Sequence, residues 1–260
     1  MAWAAYAQQM ELKPAPGSPV AVARALPPSR PPTAWKGAGT CEQIAASLAL
    51  VRDSVPLARR VLHVGCSVYE PGDPFQCLHL VHAGAFKLVN CAADGREHVV
   101  GLQFRGDWLG FDGMASGHHG GAAIAMDTSE VWAIRYEDLL RASARQPELA
   151  RLLHQAMSRE IVRDREALMS LCTLPADARV AGFLQWWAGS LAERGMRTDQ
   201  ITLRMTRAEI GSHLGMKLET VSRALSRLAR EGVIQFCGHG RRDIRIPDPG
   251  ALGDVATTLQ

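Results

Sequence analysis

Five polar side chains, Glu219, Ser222, Arg223, Ser226 and Arg230, recur at spacings of three and four within L-E-T-V-S-R-A-L-S-R-L-A-R, residues 218–230. Leu218, Val221, Leu225 and Leu228 alternate with them at the same helical period, so the segment predicts a helix with an apolar face turned inward and a polar face outward. The chemistry open to such a face is recognition by hydrogen bonds. A guanidinium grips the O6/N7 edge of guanine with two bonds, a carboxylate accepts from the cytosine amino group, and hydroxyls serve either base. Glu219 and Arg223, one turn apart, are spaced to read neighbouring base pairs, each good pairing discriminating by about 1–3 kcal/mol. Glu219, Ser222 and Arg223 are the candidate base readers.

Such a helix needs a scaffold, and the flanking residues predict one. Thr206 and Glu209 make a T-x-x-E capping box that starts a preceding helix, Gly215 supplies the turn that ends it, and the second helix begins near Lys217. Residues 201–245 hold nine Lys or Arg against four acids, a local surplus suited to phosphates. Thr206, Arg207, Lys217, Ser226, Arg241 and Arg242 are the candidate backbone contacts. The last two stand at the tip of a predicted hairpin, V-I-Q-F-C and R-R-D-I-R-I-P around Gly238 and Gly240, which reads as the wing of a winged helix. Upstream, after Pro175, D-A-R-V-A-G-F-L-Q-W-W-A has helical spacing, with Trp186 and Trp187 expected to pack that helix onto the other two.

The segment 147–174 offers a means of pairing two copies of the chain. Leu153, Met157, Ile161, Asp164, Leu168 and Leu171 follow steps of four, four, three, four and three, the pattern of a coiled-coil seam. Asp164 would meet its own symmetry mate there and keep the dimer marginal, or rotate out to Arg163 or Arg165. Farther upstream, from about Val61, short apolar runs are punctuated by E-P-G-D (70–73), A-D-G-R (93–96) and R-G-D (105–107), which predicts a compact antiparallel roll over about 60–138. Pro27-Pro28 and Pro31-Pro32 predict a flexible Pro/Ala-rich tail at the start.

The string M-T-R-A-E-I-G-S-H-L-G followed by E-T-V-S-R resembles the FNR branch of the CRP/FNR transcription regulators. G-D-W-L-G-F-D-G-M-A-S-G-H-H, 106–119, is similar to the glycine-rich stretch of that family's roll, and M-S-R-E-I-V-R-D, 157–164, resembles its dimerisation helix. The matches span roughly residues 45–247. The resemblance implies an α+β chain with a cyclic-nucleotide-binding-like jelly roll, a long dimerisation helix and a winged helix-turn-helix. Expected boundaries are a tail to 44, the roll at 45–145, the dimer helix at 146–174, the DNA-binding domain at 175–248 and a C-terminal tail at 249–260. It implies a homodimer on an inverted repeat like TTGAT-N4-ATCAA. The turn holding Asp94, Gly95 and Arg96 matches the one that in relatives touches RNA polymerase, which implies an activator. Many relatives carry a small hydroxyl residue where Lys217 stands, so here the side-chain cap gives way to a cation suited to a phosphate.

The chain departs from the family in its signal-sensing residues. Where cyclic-nucleotide-binding relatives place Arg and a hydroxyl residue, this chain has Gly120, Gly121 and Ala122, and a cyclic phosphate lacks its charge partner. Where the FNR branch uses three clustered N-terminal cysteines and a fourth in the roll, this chain has only Cys41 and, at the roll position, Trp132, short of the four thiolates of a cubane cluster. No cofactor is expected. Two sensing alternatives stay open: a thiol switch between Cys66 and Cys77 across the E-P-G-D turn, and haem or metal ligation by His118 and His119 with His79, His82 and His98.

A net charge of +3 over 260 residues excludes nothing, since the basic surplus is local. No apolar run is long enough to span a bilayer and the start lacks a signal-peptide pattern, so a cytoplasmic protein without membrane contact is expected. An enzyme has no support, because no nucleophile, base and orienter assemble from local motifs. The competing class is a ligand-binding protein whose helix-turn-helix only packs.

Overall fold

The computed structural model describes residues 40–92, 95–238 and 242–258. A helix, α1 (Cys41–Ser54), comes first, opened by a capping box in which Thr40 and Gln43 exchange side-chain-to-backbone bonds. Its first four residues, 41–44, fall at the end of the stretch expected to be tail, of which residues 1–39 lie outside the described residues, and the rest falls in the range expected for the roll. Ile44, Leu48 and Val51 recur at helical spacing and are buried in one cluster with Leu149 and Leu153, so apolar burial holds this segment where composition predicted none.

Seven strands follow: β1 (Ala58–Leu62), β2 (Cys77–Ala83), β3 (Ala85–Cys91), β4 (Glu97–Phe104), β5 (Trp108–Leu109), β6 (Ala122–Ala125) and β7 (Ser129–Arg135), with the short helix α2 (Gly113–Ser116) before β6. They pair antiparallel in two sheets, ordered β1-β7-β2-β5 and β4-β3-β6, around a core that includes Val81, Phe86, Leu109, Ala123 and Val131. Turn glycines set the corners. A Cβ at Gly84, where φ is +83°, would stand 2.1 Å from the Ser129 hydroxyl, so only glycine fits the β2–β3 turn.

Helix α3 (Tyr136–Arg145) leads into the long α4 (Pro147–Thr173), opened by proline at its first turn. The C-terminal domain then runs α5 (Ala176–Glu193), β8 (Gln200–Thr202), α6 (Arg207–His213), α7 (Leu218–Arg230), β9 (Gln235–Cys237) and β10 (Asp243–Arg245). β9 and β10 pair antiparallel as the expected wing, and β8 adds a third strand on the other edge of β10. The segment expected as a C-terminal tail is instead helical, α8 (Pro249–Thr258), and its Leu252 is fully buried in the core it shares with α5. Among the described residues no helix is long and apolar enough to cross a membrane.

The largest apolar cluster is shared by both halves: Ala85, Val89, Val99, Leu102 and Phe104 of the roll join Phe183, Trp186, Trp187 and the helix-turn-helix core. The two tryptophans therefore do more than the sequence predicted. Phe104 meets Trp187 edge-on with centroids 5.4 Å apart, so they pack α5 onto the roll as well as onto its neighbours.

Candidate nucleic-acid interface

The capping box at the start of α6 is present in both directions, the Glu209 amide bonding the Thr206 hydroxyl and the Thr206 amide the Glu209 carboxylate. Gly215 turns the chain with φ +61°, and a Cβ there would press to 2.8 Å from the Leu171 side chain. α7 starts after Lys217, which makes no side-chain cap, as its ammonium-bearing chain must. Val221, Leu225 and Leu228 are buried as expected. Leu218 is not: it is 44% exposed at the first turn of α7.

On the opposite face Glu219, Arg223, Ser226 and Arg230 are exposed and Ser222 half-buried. Among the described residues the Glu219 carboxylate, the Arg223 guanidinium and the Lys217 ammonium have no ion pair or side-chain hydrogen bond, whereas neighbouring Arg227 is bound to Asp177. A charged group left in water keeps its donors for a ligand. Thr206 is exposed at the N-terminus of α6, Arg207 lies with its guanidinium 5.9 Å from the Phe236 ring, and Arg242 is exposed at the base of the wing. Arg241 and the wing tip lie outside the described residues. The arrangement is one apolar-backed helix with an open polar face that carries cations and is flanked by further cations, chemistry of the kind that a duplex groove can meet.

This domain is fastened to the roll by contacts that no local pattern foretold. Lys87 on β3 ion-pairs with Glu209, the Ser212 hydroxyl accepts the Val99 amide at 3.1 Å, and the His213 ring bonds the Val99 carbonyl at 3.2 Å. β4 is the edge of its sheet, so Ser212 and His213 satisfy backbone groups that would otherwise lie open. Burial favours the Glu209 acid, but Lys87 and the Thr206 cap outweigh it and hold the carboxyl below its ordinary pKa. Desolvation holds His213 below its ordinary value, against the hydrogen bond to Val99. Deeper in the seam Arg194 pairs with Asp107 at 2.9 Å, and the same carboxylate accepts the Phe104 amide at 2.9 Å.

Along α4 the expected seam divides. Leu153 is buried with Leu149 and Ala156 against the roll, because the early turns of α4 lie on β-roll and α1 surfaces. Met157 is half-buried. Ile161, Leu168 and Leu171 are exposed together with Val162 and Met169, an uncovered apolar stripe on the outer turns. Asp164 is exposed but borders a cavity of about 310 Å3 between α4 and the roll, and desolvation raises its pKa against the pull of Arg163.

That cavity is where a cyclic nucleotide would have to fit. Its wall includes Asp112, Glu160 and Asp164 against the single cation Arg163. Gly121 is wedged so close to β3 that a Cβ would stand 2.1 Å from the Asn90 side-chain oxygen, and Asp112 already accepts the Gly120 amide at 2.8 Å. Burial, with nearby carboxylates, pushes Glu160 up to about 7. An acidic wall of this kind does not fit a phosphate.

The other sensing candidates separate. Cys66 and Cys77 do not face each other: from Gly65 to Phe75 the chain runs on antiparallel to 125–117, with amide bonds to Ala125, Ala123, His119 and Gly117 in turn, so the E-P-G-D turn does not reverse it. The two cysteines stand at opposite ends of that run. His79 and His119 are buried beside Tyr69, His119 stacked on it at 3.7 Å, while His82 stacks on Trp132 and His98 is exposed on β4. Desolvation lowers His79 to about 3. Among the described residues no three His, Cys, Asp or Glu side chains gather as metal ligands. Asp94 lies outside the described residues; Gly95 and Arg96 are exposed in the β3–β4 turn, beside the edge that α6 covers.

Known proteins agree with this geometry. Residues 59–146 match the family described as Cyclic nucleotide-binding domain, and residues 178–255 the Crp-like helix-turn-helix domain. The chain is 35% identical to the Transcriptional regulatory protein btr of Bordetella pertussis over 77% of its own length and 80% of that protein's. It is 31% identical to the Fumarate and nitrate reduction regulatory protein of Escherichia coli, over 78% of this chain and 80% of that one. Among solved structures, FixK2 from Bradyrhizobium japonicum superposes with a TM-score of 0.67 at 27% identity, over 77% of this chain and 98% of that one. With a roll, a long helix and a helix-turn-helix, the chain belongs to the CRP/FNR family of DNA-binding transcription regulators and is not an enzyme.

Proposed function

We propose that the protein works as a homodimer that reads an inverted repeat like TTGAT-N4-ATCAA and activates transcription, without an iron–sulfur cluster or a cyclic nucleotide. The observation that carries this is the unpaired Glu219 and Arg223, one turn apart on the open face of α7. Both groups stand in water with their hydrogen-bonding capacity uncommitted, whereas Arg227 is held by Asp177. Arg223 supplies the bidentate contact to guanine, Glu219 accepts from a cytosine amino group, and Ser222 lies between them. Lys217, Thr206, Arg207, Ser226 and Arg242 bind the flanking phosphates and fix the register. The uncovered stripe of Ile161, Leu168 and Leu171 supports pairing of two α4 helices, as palindromic sites require. The exposed turn with Gly95 and Arg96 is the surface offered to RNA polymerase, in the cytoplasm.

A mobility-shift titration with a duplex carrying that repeat and a scrambled duplex tests the reading. The wild type is expected to prefer the repeat, and Arg223→Ala to lose about 1–3 kcal/mol of that preference while keeping weak binding to both duplexes. An unchanged preference in Arg223→Ala would show that α7 packs rather than reads.

A further inference from the structure

A second cleft, of about 480 Å3, opens between the roll and the C-terminal domain and shares no lining residue with the acidic cavity or with α7. Its floor is apolar: Phe104 from the roll, Trp187 and Leu191 from α5, and Ile201 from β8. Four arginines stand in its wall, Arg105, Arg194, Arg197 and Arg204, against one lining carboxylate, Asp127.

Most of this charge is already committed. Asp127 is held by Arg204 at 2.8 Å, Arg197 by Asp199 at 2.7 Å, and Arg194 by Asp107. Arg105 differs. Its carbonyl accepts a bond from Arg194 at 3.0 Å and the residue as a whole is half-buried, but its guanidinium has no partner among the described residues. A guanidinium partly withdrawn from water keeps a strong preference for an anion with two oxygens. Beside it lies an apolar chamber within the size range of small-molecule sites.

We propose that this cleft binds a small amphipathic carboxylate, its apolar body over Trp187 and Phe104 and its carboxylate on Arg105. Phe104 and Arg105 belong to the roll, Trp187 and Ile201 to the C-terminal domain, so the ligand touches both parts across their seam. A neutral molecule of the same shape leaves Arg105 unpaired, and a phosphate or sulfate ion leaves the apolar floor uncovered. Both are weaker ligands.

The test uses the full chain with 2-naphthoate and the isosteric neutral 2-naphthamide, followed by calorimetry and by tryptophan fluorescence, since Trp187 lies in the floor. The naphthoate is expected to saturate at one molecule per chain and to bind about tenfold more tightly than the amide. Arg105→Ala should remove that tenfold advantage. Arg105 also borders a smaller cleft above Trp132, so a second variant locates the site. Thr128→Trp at the mouth, exposed and absent from the smaller cleft, should abolish naphthoate binding without changing the melting profile. The proposal is overturned by an absence of saturation at millimolar naphthoate, by equal affinity for the amide, or by undiminished binding in Thr128→Trp.

Discussion

Asp107 and Arg194 meet at 2.9 Å with side chains 2% and 1% exposed, so roll and C-terminal domain are joined by an ion pair from which water is excluded. The pair is fully dressed: Arg194 also donates to the Ser190 and Arg105 carbonyls and lies 5.1 Å from the Phe104 ring, while Asp107 receives the Phe104 amide. Removing one partner leaves the other a buried charge with only a longer pairing, Arg194 with Glu193 at 3.8 Å or Asp107 with Arg163 at 3.7 Å. Asp107→Ala is expected to destabilise the chain by about 3–5 kcal/mol, a fall in melting temperature on the order of 10 °C. The double variant Asp107→Ala with Arg194→Met should regain part of that loss in a double-mutant cycle. Additive losses would mean that the two groups act independently.

What was legible in the sequence was local. The capping box at Thr206 and Glu209, the turn at Gly215, the polar stripe of α7 and the wing strands all rest on spacings of a few residues, and each is present. Thr40 and Gln43 carried the same kind of signal for α1, masked by the proline-rich stretch before it. What was not legible is long-range. Lys87 and Glu209 are 122 residues apart, Val99 and Ser212 are 113, and Asp107 and Arg194 are 87, and no periodicity links such partners. The Leu153 seam assignment failed for a related reason: one helix serves two surfaces, and heptad spacing cannot say which surface takes which turn.

The outer turns of α4 carry the prediction on assembly. Leu168 is 61% exposed in the single chain, at the centre of the apolar stripe. Leu168→Glu is expected to weaken self-association by at least an order of magnitude in sedimentation equilibrium, as burying an unpaired charge does. Asp164, already disfavoured as an anion by its surroundings, should act in the opposite sense, Asp164→Ala tightening the dimer. If Asp164→Ala left the association constant unchanged, Asp164 would have no part in keeping the dimer weak.

The donor set bears on cofactors. Trp132, which the resemblance sets at the place of the roll cysteine, has His82 stacked on it and the Arg59 guanidinium 5.9 Å from its ring, a cationic and aromatic setting. Protein purified without oxygen is therefore expected to be colourless and to bind the inverted repeat equally well before and after treatment with an iron chelator. A Soret band, or a broad sulfide-to-iron band with stoichiometric metal, would show ligands other than those considered.

Glu160 makes the stability of the chain depend on pH. Unfolded, its carboxyl ionises near the ordinary 4.5; folded, burial first, and then the fields of Asp164, Asp107 and Asp112, outweigh Arg163 and move ionisation to about 7. Between those values the folded state keeps a proton that the unfolded state has released, so this contribution is fully present below about 4.5 and is lost as pH rises through 7. The loss is at most ~3 kcal/mol. Glu160→Gln holds the site neutral at every pH. Its melting temperature should match the wild type near pH 5 and exceed it by several degrees near pH 8. A difference that does not change with pH would mean that Glu160 reaches solvent freely, and that the cavity between α4 and the roll is wetter than its lining implies.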